Sequence, residues 1–210
     1  MQDFVVEASW WRKQMGVPTP SSLQDVDRLF REVAKDSRLE GIFLELPALH
    51  SGWAECNALR ELIKTLRAAG KRVVVYLPEG GGNREYFIAC AGNDIWTSPQ
   101  ASVTVLGIGT ELHYPKALLD RLGVEFQVFA CGEFKTAAES MVRETMSEAQ
   151  QEQMGALLQA RHDQLMAAMA DRFKGNMEHA HQVLVGAPWT GKRAEEQGVV
   201  DAVCYPDEAF

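Results

Sequence analysis

Lys135 lies in the stretch Gly132-Glu133-Phe134-Lys135-Thr136-Ala137-Ala138-Glu139, with Arg143 and Met146-Ser147 downstream and the apolar run Val124–Ala130 just before it. The run reads as a strand. That puts the lysine at a strand end, where α/β folds carry their chemistry. A solvated surface charge is the default for a lysine. Held among apolar groups, the same residue is a general base. Burial then lowers its pKa from about 10.4 toward neutrality, and it takes the proton of a serine hydroxyl. Such a serine–lysine dyad also needs a serine on a sharp turn at a helix start, with backbone N–H groups aimed at the oxyanion.

Three other groupings look like sites and fall short on chemistry. Gly186-Ala187-Pro188-Trp189-Thr190-Gly191-Lys192 matches the first seven positions of a P-loop. The eighth is Arg193, which offers no hydroxyl to magnesium, and the stretch follows a helix rather than a strand. Thr190 as N-cap of a short helix, Lys192 to Gln197, accounts for it better. Gly80-Gly81-Gly82 lies between a strand and a helix, as a dinucleotide loop does. Glu85 stands where the third glycine of GxGxxG belongs, and no acidic ribose partner is visible, so a tight, flexible turn is the simpler reading. His179 and His181 lack a Cys or carboxylate at ligand spacing, so no metal is expected. His50, His113 and His162 show no Ser or Asp partner in the local sequence. No cofactor is expected.

The elements that must position Lys135 follow from periodicity. Phe4-Val5-Val6 is strand-like, Trp10-Trp11-Arg12-Lys13 packs locally, and Gly16–Pro20 is a turn or linker. Ser22 and Asp25 form a partial capping box before a helix carrying Leu23, Val26, Leu29, Phe30 and Val33. Ile42–Leu46 is a short strand. Leu59, Leu62, Ile63 and Leu66 mark a second helix, stopped by Gly70. Arg72–Leu77 is apolar on both faces, as a buried parallel strand should be. A short helix from about Arg84 to Ala91 follows. Asp94–Thr97 and Ser102–Val105 read as strands, and Leu118, Leu119 and Leu122 as a helix closed by Gly123. Ser147 with Gln150 opens a long helix whose stripe runs Met154, Leu157, Leu158, Leu165, Met166, Met169 and Phe173, ending at Gly175. Such a stripe is core or interface more often than a cofactor box. Strands alternating with helices imply a layered α/β domain with a mainly parallel sheet and right-handed crossovers. One domain over 1–210 is expected, with an amino-terminal extension (1–21) and a long helical region (147–183) suited to oligomer packing.

Composition sets outer bounds. The chain has 210 residues, 46% of them hydrophobic, and a formal net charge of −8. That balance argues against nucleic acid and anionic membrane surfaces, both of which call for a basic face. Cys56, Cys90, Cys131 and Cys204 are widely spaced and form no CxxC pair. No apolar run is long enough for a membrane span, and no signal peptide opens the chain. A folded domain that begins this abruptly is expected to be a piece of a longer protein.

The stretch around Lys135 resembles the lysine motif of the signal peptide peptidase A family, serine–lysine peptidases with a Clp-protease/crotonase-like fold. Further segments resemble that family in the same order. Tyr86-Phe87-Ile88-Ala89-Cys90-Ala91-Gly92-Asn93-Asp94-Ile95 is similar to the helix and strand after the nucleophile turn. Ser98-Pro99-Gln100 and Leu106-Gly107-Ile108-Gly109 are similar to the substrate-side segment, which makes Gly107, Ile108 and Gly109 the implied substrate-binding residues. Trp189–Ala194 with Gly198-Val199-Val200-Asp201 resembles the closing helix. The match runs from about residue 22 to residue 203.

The departures are as informative. Asn83 occupies the nucleophile position, Arg84 and Glu85 replace two small glycines, and Leu49-His50-Ser51-Gly52 replaces a glycine-rich loop. Among long family members with two tandem copies of the fold, the amino-terminal copy supplies the lysine and the carboxy-terminal copy the serine. The resemblance therefore implies that Lys135 is the general base of a serine-type endopeptidase acting on short hydrophobic peptides such as cleaved signal peptides. Its partners would be the serine-bearing carboxy-terminal domain of the same protein, the peptide substrate and further copies in a homo-oligomer. The chain alone would be inactive. The implied location is a membrane on its periplasmic or extracytoplasmic side, through an anchor outside these residues. Two alternatives stay open. One is a non-catalytic scaffold of the same fold. The other is a crotonase-type acyl-CoA enzyme, with Glu85 or Glu139 as its carboxylate, though both read more simply as surface charges.

Overall fold

The computed structural model describes residues 22–208. In chain order its first elements are α1 (Leu23–Lys35), β1 (Gly41–Glu45), α2 (Trp53–Ala68), β2 (Arg72–Leu77), β3 (Gly80–Gly81), α3 (Asn83–Ala89), β4 (Asp94–Thr97) and β5 (Ser102–Val103). Then come α4 (Lys116–Arg121), α5 (Glu139–Val142), α6 (Glu148–Arg172), α7 (Met177–Gly186), β6 (Trp189–Thr190), α8 (Gly191–Glu196) and β7 (Ala202–Val203). The strand, aromatic pair and linker expected before residue 22 lie outside the described residues.

Two compact units divide the described chain. Residues 22–106 with 165–208 form the first and residues 107–164 the second. The first is built on a parallel four-stranded sheet in the order β1-β2-β4-β7. Val73, Val75, Tyr76 and Leu77 of β2 are fully buried. A parallel strand is covered on both faces by its crossover helices, so both faces of β2 are apolar. On α2, Leu59, Ile63 and Leu66 fill the space above the sheet. Ser22 caps α1 as its sequence requires: Asp25 N–H donates to Ser22 Oγ, and Ser22 N–H donates back to the Asp25 carboxylate, each at 3.1 Å.

A second, three-stranded sheet, β3-β5-β6, lies in the same unit. Gly80 has φ +83°, and a Cβ there would come within 2.1 Å of the Ser102 carbonyl oxygen. Only glycine lets β3 approach β5 so closely. This pairing sets the turn from β2 into α3, and so places Asn83.

The second unit departs from expectation. The run Val124–Ala130 has no regular secondary structure and pairs with no strand among the described residues. Val124, Phe126, Val128 and Phe129 are exposed, Phe129 at 94%. Apolar alternation makes a segment competent for a ladder, but the ladder itself needs a neighbouring backbone. Lys135 therefore follows an unpaired segment rather than a strand. The long helix α6 starts where Ser147 caps it, with Gln150 N–H donating to Ser147 Oγ at 3.1 Å. Its apolar stripe divides: Leu165, Met166 and Met169 are buried, whereas Leu157 is exposed. No helix of the described residues is long and apolar enough to cross a membrane.

Candidate active site

Lys135 sits on a tight turn. Its backbone N–H donates to the Gly132 carbonyl at 3.2 Å, and Gly132 adopts φ +96°, a conformation open to glycine at little cost. A second turn follows at once, with Glu139 N–H donating to the Thr136 carbonyl at 3.0 Å to begin α5. The second turn of α6 grips the lysine's two neighbours. Gln153 Nε2 donates to the Phe134 carbonyl at 3.0 Å, and Thr136 Oγ1 donates to Gln153 Oε1 at 2.9 Å. Tyr114 Oη donates to Gln150 Oε1 at 2.6 Å on the first turn of that helix. One carboxamide thus fixes the backbone on one side of Lys135 and the side chain on the other.

The lysine borders a groove of about 690 Å³ within the second unit, lined mainly by Val128, Phe129, Ala130, Phe134, Ala138 and Met154. This lining is apolar, as a site for hydrophobic peptide or a hydrophobic partner surface should be. Lys135 itself is exposed. The desolvation that turns a lysine into a base is therefore not supplied by the unit that carries it.

Asn83 is the first residue of α3, directly after the Gly82 N-cap. A helix start of this kind is the geometry a nucleophile turn requires, and the Asn83 side chain is a carboxamide with no nucleophilic hydroxyl. Glu85 corrects an expectation. It is 7% exposed, not a surface charge. Its carboxylate accepts the Leu49 N–H at 2.7 Å on one oxygen and the Gly82 N–H at 2.9 Å on the other. Arg84 Nη1 donates to the Leu49 carbonyl at 3.3 Å, closing the same corner. The Gly82 bond is the capping box of α3, and the Leu49 bond ties the loop after β1 to the same helix start.

Asn83 and Glu85 belong to the first unit; Lys135, Gly107, Ile108 and Gly109 belong to the second. Gly107–Gly109 has no regular secondary structure. Glu139 is half-buried, with Oε2 lacking a hydrogen-bond partner among the described residues. Ser98 Oγ donates to the Pro78 carbonyl at 2.7 Å. The P-loop look-alike is spent on packing: Trp189 Nε1 donates to the Val183 carbonyl at 2.8 Å, and Gly191 N–H donates to the Ala101 carbonyl at 3.0 Å. His179 stacks edge-on against Phe173. No group of His, Cys, Asp or Glu among the described residues is arranged to hold a metal. The sequence reads Gln150 only as the capping partner of Ser147 and gives no signal that Gln153 or Thr136 supports this turn.

Comparison with known proteins bears on this geometry. Residues 65–210 match peptidase family S49. The chain is 25% identical over 189 residues to the chloroplastic serine protease SPPA of Arabidopsis thaliana, covering 90% of this chain and 28% of that protein. It is 35% identical over 135 residues to Protease 4 of Salmonella typhi, covering 63% of this chain and 21% of that protein. It is 29% identical to Protease 4 of Haemophilus influenzae over 134 residues, again 21% of that protein. The chain therefore spans between 21% and 28% of the length of these relatives. A solved peptidase structure from Plasmodium falciparum superposes with a TM-score of 0.53 at 7% identity, covering 87% of each chain, a likeness of fold alone.

Proposed function

Because the chain belongs to peptidase family S49, we propose that it is the lysine-supplying domain of a serine peptidase of the signal peptide peptidase A kind. Lys135 is the general base, and the nucleophilic serine comes from another domain of the same protein. Substrates are short hydrophobic peptides, such as cleaved signal peptides. Gly107, Ile108 and Gly109 line the path of the substrate. Copies of the full protein assemble into an oligomer at a membrane, on the periplasmic or extracytoplasmic side, through an anchor outside these residues.

The observation that carries this reading is Lys135 itself. Gln153 holds its two neighbours, and it borders an apolar groove while still exposed, in a chain whose own nucleophile position is Asn83. Exposed Phe126, Phe129 and Phe134 lie just before and within the motif, and the relatives are about three times as long as this chain. A serine-bearing domain that covers those aromatics would take the lysine out of water and bring the hydroxyl to it in one step.

The crotonase reading loses support from Glu85. An acyl-CoA enzyme needs paired backbone donors for its thioester oxygen, and the donors at this corner, Leu49 and Gly82, are occupied. The scaffold reading draws on Asn83 alone and expects Lys135 to be dispensable. The deciding experiment compares the full-length protein with its Lys135→Ala variant on a fluorogenic hydrophobic peptide. Loss of a general base lowers kcat by about 10²–10⁴-fold. Equal cleavage by the two proteins overturns the assignment. A covalent serine probe applied to residues 1–210 should label neither Ser98 nor Ser102.

A further inference from the structure

In the first unit a pocket of about 290 Å³ opens where α2, α3 and α6 end. Arg60, Lys64 and Arg67 line it from α2, and Arg172 and Lys174 from the end of α6. Asp171 is the one carboxylate among its lining residues. Five cations line it against that one carboxylate, with Asp201 paired to Arg172 and Glu61 to Lys64 just outside the lining, in a chain whose formal net charge is −8. Two of these cations are withdrawn from water: Arg60 is 4% exposed, and the Arg172 side chain 9%. A buried guanidinium is costly unless acceptors surround it.

The acceptors present serve only part of this cluster. Arg60 donates to the Phe87 carbonyl at 2.8 Å and Arg67 to the Ala91 carbonyl at 2.9 Å, bonds that satisfy the carbonyl end of α3. Arg60 reaches Asp171 only at 3.7 Å, and that carboxylate is largely exposed. Arg172 Nη2 pairs with Asp201 at 2.7 Å and the guanidinium also interacts with the buried Tyr86 hydroxyl, while Arg172 Nε is buried and makes no hydrogen bond of its own among the described residues. Buried donors of this kind are normally satisfied. Burial also pulls the Arg60 guanidinium below its usual range.

We infer that this pocket binds a small oxyanion of the phosphate class, with Arg172 and Arg60 as inner donors and Lys64 and Lys174 at the rim. Guanidinium forks match the geometry of phosphate oxygens and stay charged at any working pH. The site contains neither Lys135 nor Asn83, and it does not rest on the peptidase reading.

Free phosphate and a phospholipid head group share this chemistry. The test titrates the full chain with inorganic phosphate against chloride at equal ionic strength, followed by calorimetry. Arg172→Lys keeps the charge and the Asp201 pair but removes the fork. Lys64→Gln with Lys174→Asn alters only exposed side chains, and Asn tolerates the φ of +56° at position 174. Saturable phosphate binding that weakens about ten-fold in each variant is expected. The rim pair keeps the test readable should Arg172→Lys fail to fold. A linear, non-saturating response, or undiminished binding by the rim variant, overturns the site. A parallel arm uses phosphatidylglycerol vesicles beside phosphatidylcholine vesicles. Anionic-vesicle binding that phosphate displaces assigns the lipid head group, and phosphate binding without vesicle binding assigns the free ion. Vesicle binding that phosphate cannot displace overturns the proposal.

Discussion

The Leu49 backbone N–H donates to the Glu85 carboxylate at 2.7 Å, joining the loop after β1 to the first turn of α3. The other carboxylate oxygen accepts the Gly82 N–H at 2.9 Å. In a serine peptidase, donors at a helix start stabilise the oxyanion of the tetrahedral intermediate. Here the two donors are spent on a side chain of the same chain. Under the proposed reading, Asn83 offers no nucleophile and Glu85 takes up the backbone donors beside it.

Glu85→Ala should therefore destabilise the first unit. It orphans two backbone donors at a buried corner, and an unmade buried hydrogen bond costs about 1–3 kcal/mol. A drop of about 2 kcal/mol or more in unfolding free energy is expected from urea denaturation. Glu85→Gln keeps one acceptor and the shape of the side chain, so its loss should be smaller. Parent-like midpoints for both variants would show that the corner is held by other contacts.

Gln153 is predicted to act on rate rather than on folding. Gln153→Leu keeps the side chain's bulk but cuts both bonds flanking Lys135. In the full-length peptidase, kcat should fall on the order of 10²-fold, because small misplacements of a reacting group are that costly. KM for a hydrophobic peptide should change little. A variant that lost stability and raised KM, with kcat intact, would assign Gln153 a purely structural role.

Most of the first unit was legible in the sequence because its signals are local. Ser22 and Asp25 announce a capping box, Gly70 ends α2, and the β-branched run of β2 can only be a strand buried on both faces. Val124–Ala130 reads as a strand because apolar alternation records competence to pair, while pairing depends on a partner that composition does not name. Glu85 reads as a surface charge because a buried carboxylate is rare. Nothing in its own segment shows that Leu49, 36 positions away, supplies a donor. The Lys135 turn could be found from its motif, but Gln153 could not, since its role rests on contacts made 17 and 19 positions away.

Phe129 offers a direct test of whether a second domain covers the groove beside Lys135. At 94% exposed it contributes little to the fold, so Phe129→Asp should leave stability within about 0.5 kcal/mol of the parent. If a serine-bearing domain covers the groove, the same change places a charge in an apolar interface. Aromatic anchors in such positions are worth about 2 kcal/mol or more, so co-purification of the two halves and peptide cleavage should both fall. Retention of both would mean that this face is not the one covered.

The four cysteines should differ in reactivity, and two of them should make the fold sensitive to alkali. Cys131 is exposed, whereas Cys56 and Cys90 are buried. Burial pushes the Cys90 thiol from its ordinary 9.0 up to about 12, and that of Cys56 up to about 11. A thiol reagent acts on the thiolate, so Cys131 should react first, and Cys56 and Cys90 only on unfolding. The sign of the pH effect follows from linkage. Both thiols hold their protons more tightly folded than unfolded, so between about pH 9 and pH 12 the unfolded chain binds fewer protons. Their contribution to stability is full below about pH 9 and is lost as pH rises through the folded values. Urea midpoints should accordingly fall above pH 9 in the parent. They should fall less steeply in a Cys56→Ala, Cys90→Ala double variant, compared with its own midpoint at pH 8. Equal slopes for the two proteins would mean that other groups, such as the buried Tyr86 phenol, carry the alkaline transition.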